Sequence, residues 1–505
     1  YTLWHTLSLH DALPISGDIL ALLPLAILVA GAFVVYVFAR LVTERNEVLA
    51  LATAGVFALA FLALAMLIQR CGQVSTPGLV ETCPWWGNSG PNSAALRAGP
   101  GSSVMSGLAL SMGFLVALYC GRYLSLDQRY KITYPLLLLM VAGLVGMVMT
   151  TDLFTLYLFC ELMSVTAYVL VAFRRHTDTA VEAGFKYLVM GTTATLTLLM
   201  GLSLIYRETG SLSVAQSIAA PGLAARAGLG LVFVGLAIKS AIVPGHTWMP
   251  DAYGRAPSSV SAILAGAVKQ ATFYVLLKVI LGLGYPARDL GTALIGLAVL
   301  NMTVGNFVAL GQTNTKRLLA YSSIAQLGYV MFAIGIGLRY GVHSAVQGGF
   351  FLLLAYAMMK GLAFLSKGVC HFYCGTTEVA ELRGTAQRLP LVAGSFSIAI
   401  VGMAGVAPLA GFAGKWYTLA EILTVRDWVA NIGVLIFLFN SVLALGYYLP
   451  LLASLYAPLR AEDEQFRIMI SRWMIVPLSL LSGVVIWMGI FPGLWLEWVT
   501  GLLVY

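Results

Sequence analysis

Long apolar runs restrict the folds that this sequence can adopt. Runs of roughly 17–25 apolar residues are long enough to cross a bilayer core about 30 Å thick, and about fourteen of them follow one another. The 505 residues are 60% hydrophobic and only 10% charged. Because a lipid-exposed backbone must satisfy its own hydrogen bonds, spans of this kind are expected to be helices. We therefore predict an all-α polytopic membrane protein with about fourteen transmembrane helices.

Basic residues fall mainly in one set of alternate loops. That set includes Arg40, Arg122, Arg174, Lys316 and Arg460, whereas the other set is much poorer in lysine and arginine. Since cytoplasmic loops carry the basic excess, both termini are expected on the non-cytoplasmic side of a bacterial or archaeal cell (inner) membrane. The net charge of +8 is dispersed along the chain, which argues against a nucleic-acid surface.

Two apolar segments are broken by proline. Lys239 lies in the run Leu229–Val243, which Pro244 interrupts, and Lys415 follows Pro408 in a second broken run. A charged side chain at the bilayer centre costs roughly 2.5–3.5 kcal/mol on insertion scales, so it is kept where ions or protons pass. Paired broken helices are typical of transporter repeats, and the pair therefore predicts transport.

Four charged residues lie deep within their spans or beside a break: Glu161, Lys239, Lys269 and Lys415. Desolvation and neighbouring charges change how readily a lysine holds its proton, so movement of one charge can discharge the next. We predict that these residues relay protons. The alternative is a set of permanent ion pairs that fixes helix packing.

Four further residues are candidates for the relay. Lys360 lies within an apolar span, and Lys186 lies near a span end, where lysine also snorkels to the interface. His246 and His343 carry imidazoles, which titrate near neutrality; a histidine beside a broken helix can also satisfy freed carbonyl groups.

Cysteines and cofactor motifs are few. Cys71 and Cys83 share a loop that the topology places on the oxidising side, which predicts a disulfide. Cys370, His371 and Cys374 match zinc spacing weakly, and no metal site is predicted. The sequence has no four-cysteine cluster motif, CxxCH or GxGxxG, so we expect no cofactor bound by this chain.

Several motifs resemble a known family. Val-Pro-Gly-His-Thr-Trp-Met-Pro-Asp-Ala-Tyr-Gly-Arg-Ala-Pro-Ser-Ser-Val-Ser-Ala (243–262), the segment from Lys316 to Tyr329, and Ala407–Lys415 are similar to the antiporter-like proton-translocating subunits of respiratory complex I, the NADH-quinone oxidoreductase. That superfamily is shared with Mrp-type Na⁺/H⁺ antiporters and membrane-bound hydrogenases. Gly-Phe-Ala-Gly-Lys415 looks most like the quinone-proximal subunit N, whereas Lys360 is similar to hydrogenase and Mrp-type relatives.

The resemblance implies two inverted five-helix repeats, each with a broken helix, at 134–283 and 290–456. Helices 1–3 and an outer loop would occupy 17–133, and helix 14 would occupy 457–505. Residues 1–16 include a stretch that resembles a translated sequencing adapter and are expected to be a non-native extension. Glu161 would pair with Lys239, and Lys269 and Lys415 would complete a hydrated proton route.

The resemblance also implies partners. Other membrane and peripheral subunits would carry flavin, iron-sulfur clusters or nickel-iron, with quinone nearby and membrane lipid around the chain. This chain would move protons without a redox centre of its own. One span after Tyr456 and no long lateral helix favour a paralogue other than the most distal one. The alternatives are an Mrp-type antiporter that exchanges Na⁺, a hydrogenase subunit, a purely structural subunit and a freestanding solute carrier.

Overall fold

The computed structural model describes residues 18–41, 45–73, 83–84, 95–96, 99–127, 129–174, 177–214, 222–459 and 468–500. Helices make up nearly all of these segments. In chain order they are α1 Asp18–Leu41, α2 Asn46–Gln73, α3 Pro100–Tyr123, α4 Tyr130–Met149, α5 Leu153–Val171, α6 Asp178–Thr209, α7 Leu223–Lys239, α8 Trp248–Arg255, α9 Ser258–Ile263, α10 Lys269–Gly282, α11 Ala287–Leu310, α12 Thr315–Tyr340, α13 His343–Cys374, α14 Thr385–Arg388, α15 Pro390–Ala404, α16 Ala410–Ile422, α17 Trp428–Tyr456, α18 Arg472–Ile490 and α19 Pro492–Thr500.

Four short elements accompany these helices in the described residues. A π-helical turn, Leu264–Val268, joins α9 to α10, so that the three form one continuous helical segment. A 3₁₀ turn covers Val379–Leu382. Strands β1 (Cys83–Pro84) and β2 (Ala95–Leu96) form a small antiparallel pair between α2 and α3.

Twelve helical segments in the described part of the chain are long and apolar enough to cross a membrane, with Ser258–Gly282 counted as one. The remaining two predicted spans correspond to α7 with α8 and to α15 with α16, each interrupted near its middle. The predicted polytopic helical fold with two broken helices is therefore confirmed. The inverted relation of the two repeats and the domain boundaries stay predictions, and residues 1–16 lie outside the described residues.

Proline accounts for the main differences in helix boundaries. The seventh span ends at Lys239, earlier than the predicted Val243, because Pro244 lacks a backbone N–H and disfavours helical backbone in the residue before it. The last span, predicted to reach Leu496, ends at Ile490, and Pro492 starts α19, since proline suits the first position of a helix. The peptide bonds before Pro244 and Pro408 are cis.

Helices α12 and α13 form the centre of the bundle. In their most apolar windows, 94% of residues are buried, compared with 33% for α17. Helix α12 packs along α11 and α13, and α13 also contacts α15, α16 and α18. A helix enclosed on all sides has no contact with lipid, so any polar group on it must find its partner inside the protein.

The two ends of α12 serve to name the two ends of the bundle. Arg317 lies in the first turn of α12, and Arg339 lies in its last turn. At the Arg339 end, Asp427 caps α17 and accepts hydrogen bonds from the backbone N–H of Val429 (2.8 Å) and the hydroxyl of Tyr340 (2.6 Å). The Tyr340 hydrogen bond, followed by that of Val429, lowers the pKa of Asp427 from its usual value.

Candidate functional site

The first helix break leaves backbone groups that other helices satisfy. After α7 ends at Lys239, the backbone N–H of Val243 donates to Asn301 Oδ1 on α11 at 2.8 Å. Trp248 Nε1, at the start of α8, donates back to the carbonyl of Ile238 at 2.9 Å. Ala241 adopts a left-handed backbone (φ 56°), which is unusual for a residue with a side chain. Hydrogen bonds from α11 and from the start of α8 therefore stabilise the break.

Lys239 is buried at this break and bonds to α5. Its Nζ donates to Ser164 Oγ at 2.5 Å, and Ser164 Oγ donates in turn to the carbonyl of Cys160 at 2.6 Å. Glu161 lies three residues before Ser164, on the same face of α5. Lys239 therefore bonds to a serine hydroxyl of α5 that lies one turn from the predicted acid.

Glu161 and Lys239 are not in direct contact. Both residues are described, and no ion pair within 4.0 Å joins them. Glu161 Oε1 is buried and accepts no hydrogen bond from the described residues. A cavity of about 10 Å³ lies beside Lys239 and Ser164 and reaches Val268, next to Lys269. This volume approaches the space that one water molecule needs, and Lys239 and Ser164 line it together with mainly apolar residues.

Lys269 begins α10 directly after the π-helical turn. It is 3% exposed, and its Nζ donates to the backbone carbonyl of Ser323 on α12 at 2.6 Å. The carbonyl of Ala265, within the π-helical turn, accepts a hydrogen bond from Gln270 Nε2 at 2.9 Å. Single π-helical turns inside α-helices occur frequently at functional sites, because they re-aim side chains and release carbonyl groups.

Lys360 bonds to the neighbouring turn of α12. Its Nζ donates to Ser322 Oγ at 2.6 Å and to the carbonyl of Leu319 at 3.0 Å, and the residue is 1% exposed. Lys269 and Lys360, which come from different helices, therefore bond to adjacent residues of α12, Ser323 and Ser322. Two protonated lysines this close in a low-dielectric interior repel each other.

Lys415 lies in the second turn of α16, after the second break. Its Nζ is 4.6 Å from the ring centroid of Tyr329 on α12 and has no hydrogen-bond partner among the described residues. Gly405 ends α15 with φ 86°, and a Cβ there would lie 3.3 Å from Lys415 Nζ. The backbone conformation at this break thus favours glycine, and a larger residue there would press against the Lys415 side chain.

A further polar residue of α12 lies between the positions that these lysines contact. Between Ser323 and Tyr329, Gln326 donates from Nε2 to the carbonyl of Met403 (3.1 Å) and to the hydroxyl of Tyr448 (3.3 Å). The partners on α12 were not predicted as site residues. Ser322, Gln326 and Tyr329 nevertheless occur at helical spacing within an apolar span. That spacing places three polar side chains on one face of a buried helix and could have identified them as site residues. Ser164 had a comparable signal in its position relative to Glu161.

Three further residues were predicted as candidates for the relay: Lys186, His246 and His343. Lys186 is exposed and forms ion pairs with Glu182 (2.7 Å) and Asp251 (3.0 Å). His246 lies half-buried in the first break, whereas His343 is exposed at the first position of α13. The side chains of Cys71 and Cys83 lie outside the described residues, so their disulfide stays a prediction.

The family follows from a sequence match that spans the site. A family model described as "NADH:quinone oxidoreductase/Mrp antiporter, TM" matches residues 150–444, more than half of the chain. The chain belongs to this family. The match includes both broken helices and all four predicted relay residues, and it confirms the resemblance seen in the sequence motifs.

Similar proteins in this family are named as subunits of NADH-quinone oxidoreductase. NADH-quinone oxidoreductase subunit N of Desulforamulus reducens is 33% identical over 393 residues, covering 76% of this chain and 80% of the relative. The subunit N of Desulforudis audaxviator is 32% identical over 459 residues, covering 85% of this chain and 89% of the relative.

Solved structures share the fold across nearly the whole chain. A chain of the archaeal membrane-bound sulfane sulfur reductase, a respiratory membrane complex, aligns with a TM-score of 0.84 at 26% identity, covering 96% of this chain and 97% of that one. A chain of Thermus thermophilus respiratory complex I aligns with a TM-score of 0.74 at 29% identity. The alignment covers 94% of this chain and 98% of that one. A chain of the Mrp complex of Dietzia sp. has the same fold, with a TM-score of 0.85 at 21% identity and coverage of 96% and 97%.

Proposed function

We propose that this chain is a proton-translocating, antiporter-like membrane subunit of a respiratory complex of the NADH-quinone oxidoreductase type. One observation carries the proposal: buried lysines from α10, α13 and α16 all contact α12, and Lys239 bonds to α5 one turn from Glu161. The relatives named subunit N support the assignment to this type of complex.

The relay would work through competition for partners. Protonated Lys239 can bond either to Ser164, as observed, or to Glu161, one turn away on α5. Movement toward Glu161 would take positive charge away from Lys269. Because like charges repel strongly at low dielectric, Lys269 would then hold a proton more readily, and the change would pass along α12 to Lys360 and Lys415.

The energy for this movement would come from partner subunits. Flavin, iron-sulfur clusters or nickel-iron in those subunits would oxidise a donor, and quinone reduction nearby would shift the Glu161–Lys239 equilibrium. The basic loops support an orientation with both termini on the non-cytoplasmic side of the cell membrane. The two breaks support an inverted-repeat arrangement, which brings one broken helix into each half of the route.

Purification of the complex through an affinity tag on this chain, in mild detergent and followed by mass spectrometry, tests the assignment. Co-purification of flavin and iron-sulfur subunits is expected. Recovery of small membrane subunits alone would contradict it and would favour an Mrp-type Na⁺/H⁺ antiporter. Lys360, buried and bonded to Ser322, supports a second candidate, a hydrogenase-related complex, and nickel-iron subunits in the preparation would select it.

A structural subunit makes a different prediction from a proton carrier. Glu161→Gln retains the shape of the side chain and removes its charge, so a carrier should assemble normally and lose proton pumping. If the charge only fixes helix packing, assembly and pumping should fall in parallel. Blue-native electrophoresis and pumping by the same membranes separate the two results.

A further inference from the structure

We propose that a cleft formed by α7, the end of α10 and the start of α11 binds a phospholipid with an ethanolamine headgroup. The cleft has a volume of about 620 Å³. Small-molecule sites are clefts of roughly 300–1,000 Å³, mostly apolar with a few polar groups. It is separate from the line of buried lysines, so the proposal does not depend on proton transfer.

One wall is a single face of α7. Arg226, Leu229, Gly230 and Phe233 line the cleft, and their spacing of three, four and seven residues places them one above another. Seven residues of helix extend about 10 Å along the axis. The charged residue lies in the first turn, and the apolar residues follow toward the middle of the helix.

The opposite wall repeats this order on α11. Pro286, Asp289, Leu290 and Ala293 line it with the same spacing, and Asp289 lies in the first turn of the helix. Both walls therefore present a charge at the helix end and an apolar surface deeper in the membrane. This order matches a phospholipid, whose headgroup lies at the interface and whose acyl chains extend into the hydrocarbon.

The charges at the rim select the headgroup. Arg226 is a suitable partner for a phosphate, and the Asp289 carboxylate accepts hydrogen bonds from a primary ammonium group. Tyr285, also at the rim, is a residue type enriched at membrane interfaces. A glycerol headgroup has no positive charge to pair with the Asp289 carboxylate, and a choline headgroup has no N–H to donate. Phosphatidylethanolamine presents a group of opposite charge to each of the two rim residues.

Gly230 allows the cleft to be closed without a clash. A Cβ added there would meet no atom within 4 Å, so Gly230→Leu would extend into the space beside the α7 wall. Gly296 on α11 is exposed and equally open, and it does not line the cleft. Gly296→Leu is therefore the matched control for hydrophobicity and helix propensity.

Native mass spectrometry of the intact complex, exchanged into equimolar phosphatidylethanolamine, phosphatidylcholine and phosphatidylglycerol, tests the proposal. Wild type and Gly296→Leu should retain one more ethanolamine lipid than Gly230→Leu. Asp289→Asn, which changes charge and little else, should reduce the preference for ethanolamine over choline about tenfold.

Four results would overturn the proposal. Equal lipid retention by Gly230→Leu and wild type would show that the cleft holds no lipid. Preferential retention of phosphatidylglycerol, or an unchanged preference in Asp289→Asn, would refute the headgroup assignment. A crosslink from Gly230→Cys to a helix of a partner subunit would show that protein covers the cleft instead. If Gly230→Leu fails to assemble, the Asp289→Asn comparison still decides the headgroup.

Discussion

Ser164 is expected to control the first step of the relay. Its hydroxyl accepts a hydrogen bond from Lys239 Nζ at 2.5 Å and keeps its own hydrogen on the Cys160 carbonyl. Ser164→Ala removes this partner, while Glu161, one turn earlier on α5, remains as the carboxylate on that face. The substitution should therefore trap Lys239 on Glu161.

The magnitude follows from the type of hydrogen bond. A hydrogen bond to a charged group contributes about 1.5–3 kcal/mol, and each 1.4 kcal/mol is a factor of ten in an equilibrium constant. The equilibrium should thus shift toward Glu161 by about tenfold to a hundredfold. If Lys239 must leave Glu161 in each cycle, proton pumping should slow by about tenfold or more while the complex still assembles.

The assay uses the assembled complex in proteoliposomes, with donor oxidation and internal pH followed together. Ser164→Thr is the matched control, because it retains the hydroxyl and should pump at close to the wild-type rate. Wild-type pumping by Ser164→Ala would refute the reasoning, since the observed hydrogen bond would then have no effect on the position of Lys239.

Three further predictions concern other parts of the fold. Tyr329→Phe retains the ring under Lys415 and should pump normally, whereas Tyr329→Leu loses a cation–π contact of about 0.5–2 kcal/mol and should slow pumping severalfold in the same proteoliposomes. Gly305→Ala would place a Cβ 2.6 Å from the backbone of α12 and should lower the stability by about 1–3 kcal/mol in thermal unfolding; Gly296→Ala meets open space and should not. Asp427 has a lowered pKa, so its contribution to stability is present above the unfolded pKa of about 3.9 and is lost as pH falls through the folded pKa; Asp427→Asn should abolish that part of the pH dependence of unfolding, and an unchanged profile would contradict it.

The helical fold and the positions of the breaks could be predicted because their causes are local. Span length follows from bilayer thickness, and Pro244 and Pro408 interrupt helices wherever the rest of the chain lies. The charged residues stood out for the same reason, since each lies in an apolar run. Lys186 was expected near an interface, and its pair with Glu182 follows from the spacing of four residues on one helix.

The partners of the buried lysines depend on the rotation of each helix, which sequence spacing does not define. Whether Lys239 bonds to Glu161 or to Ser164 depends on an angle between α5 and α7. The π-helical turn before Lys269 changes the direction of that side chain, and no residue in Leu264–Val268 is typical of such a turn. The role of α12 as the shared partner emerges only when three other helices pack around it.

Proton pumping by the assembled complex carrying Lys239→Ala tests the central claim most directly. Lys239 bonds to α5 one turn from the acid of the relay, and alanine removes both its charge and its hydrogen bond. The measured quantity is the number of protons moved per electron transferred in proteoliposomes, with assembly checked by native electrophoresis. We predict an assembled complex with reduced pumping. An assembled complex with the wild-type ratio of protons to electrons would contradict the proposal that protons pass through these residues.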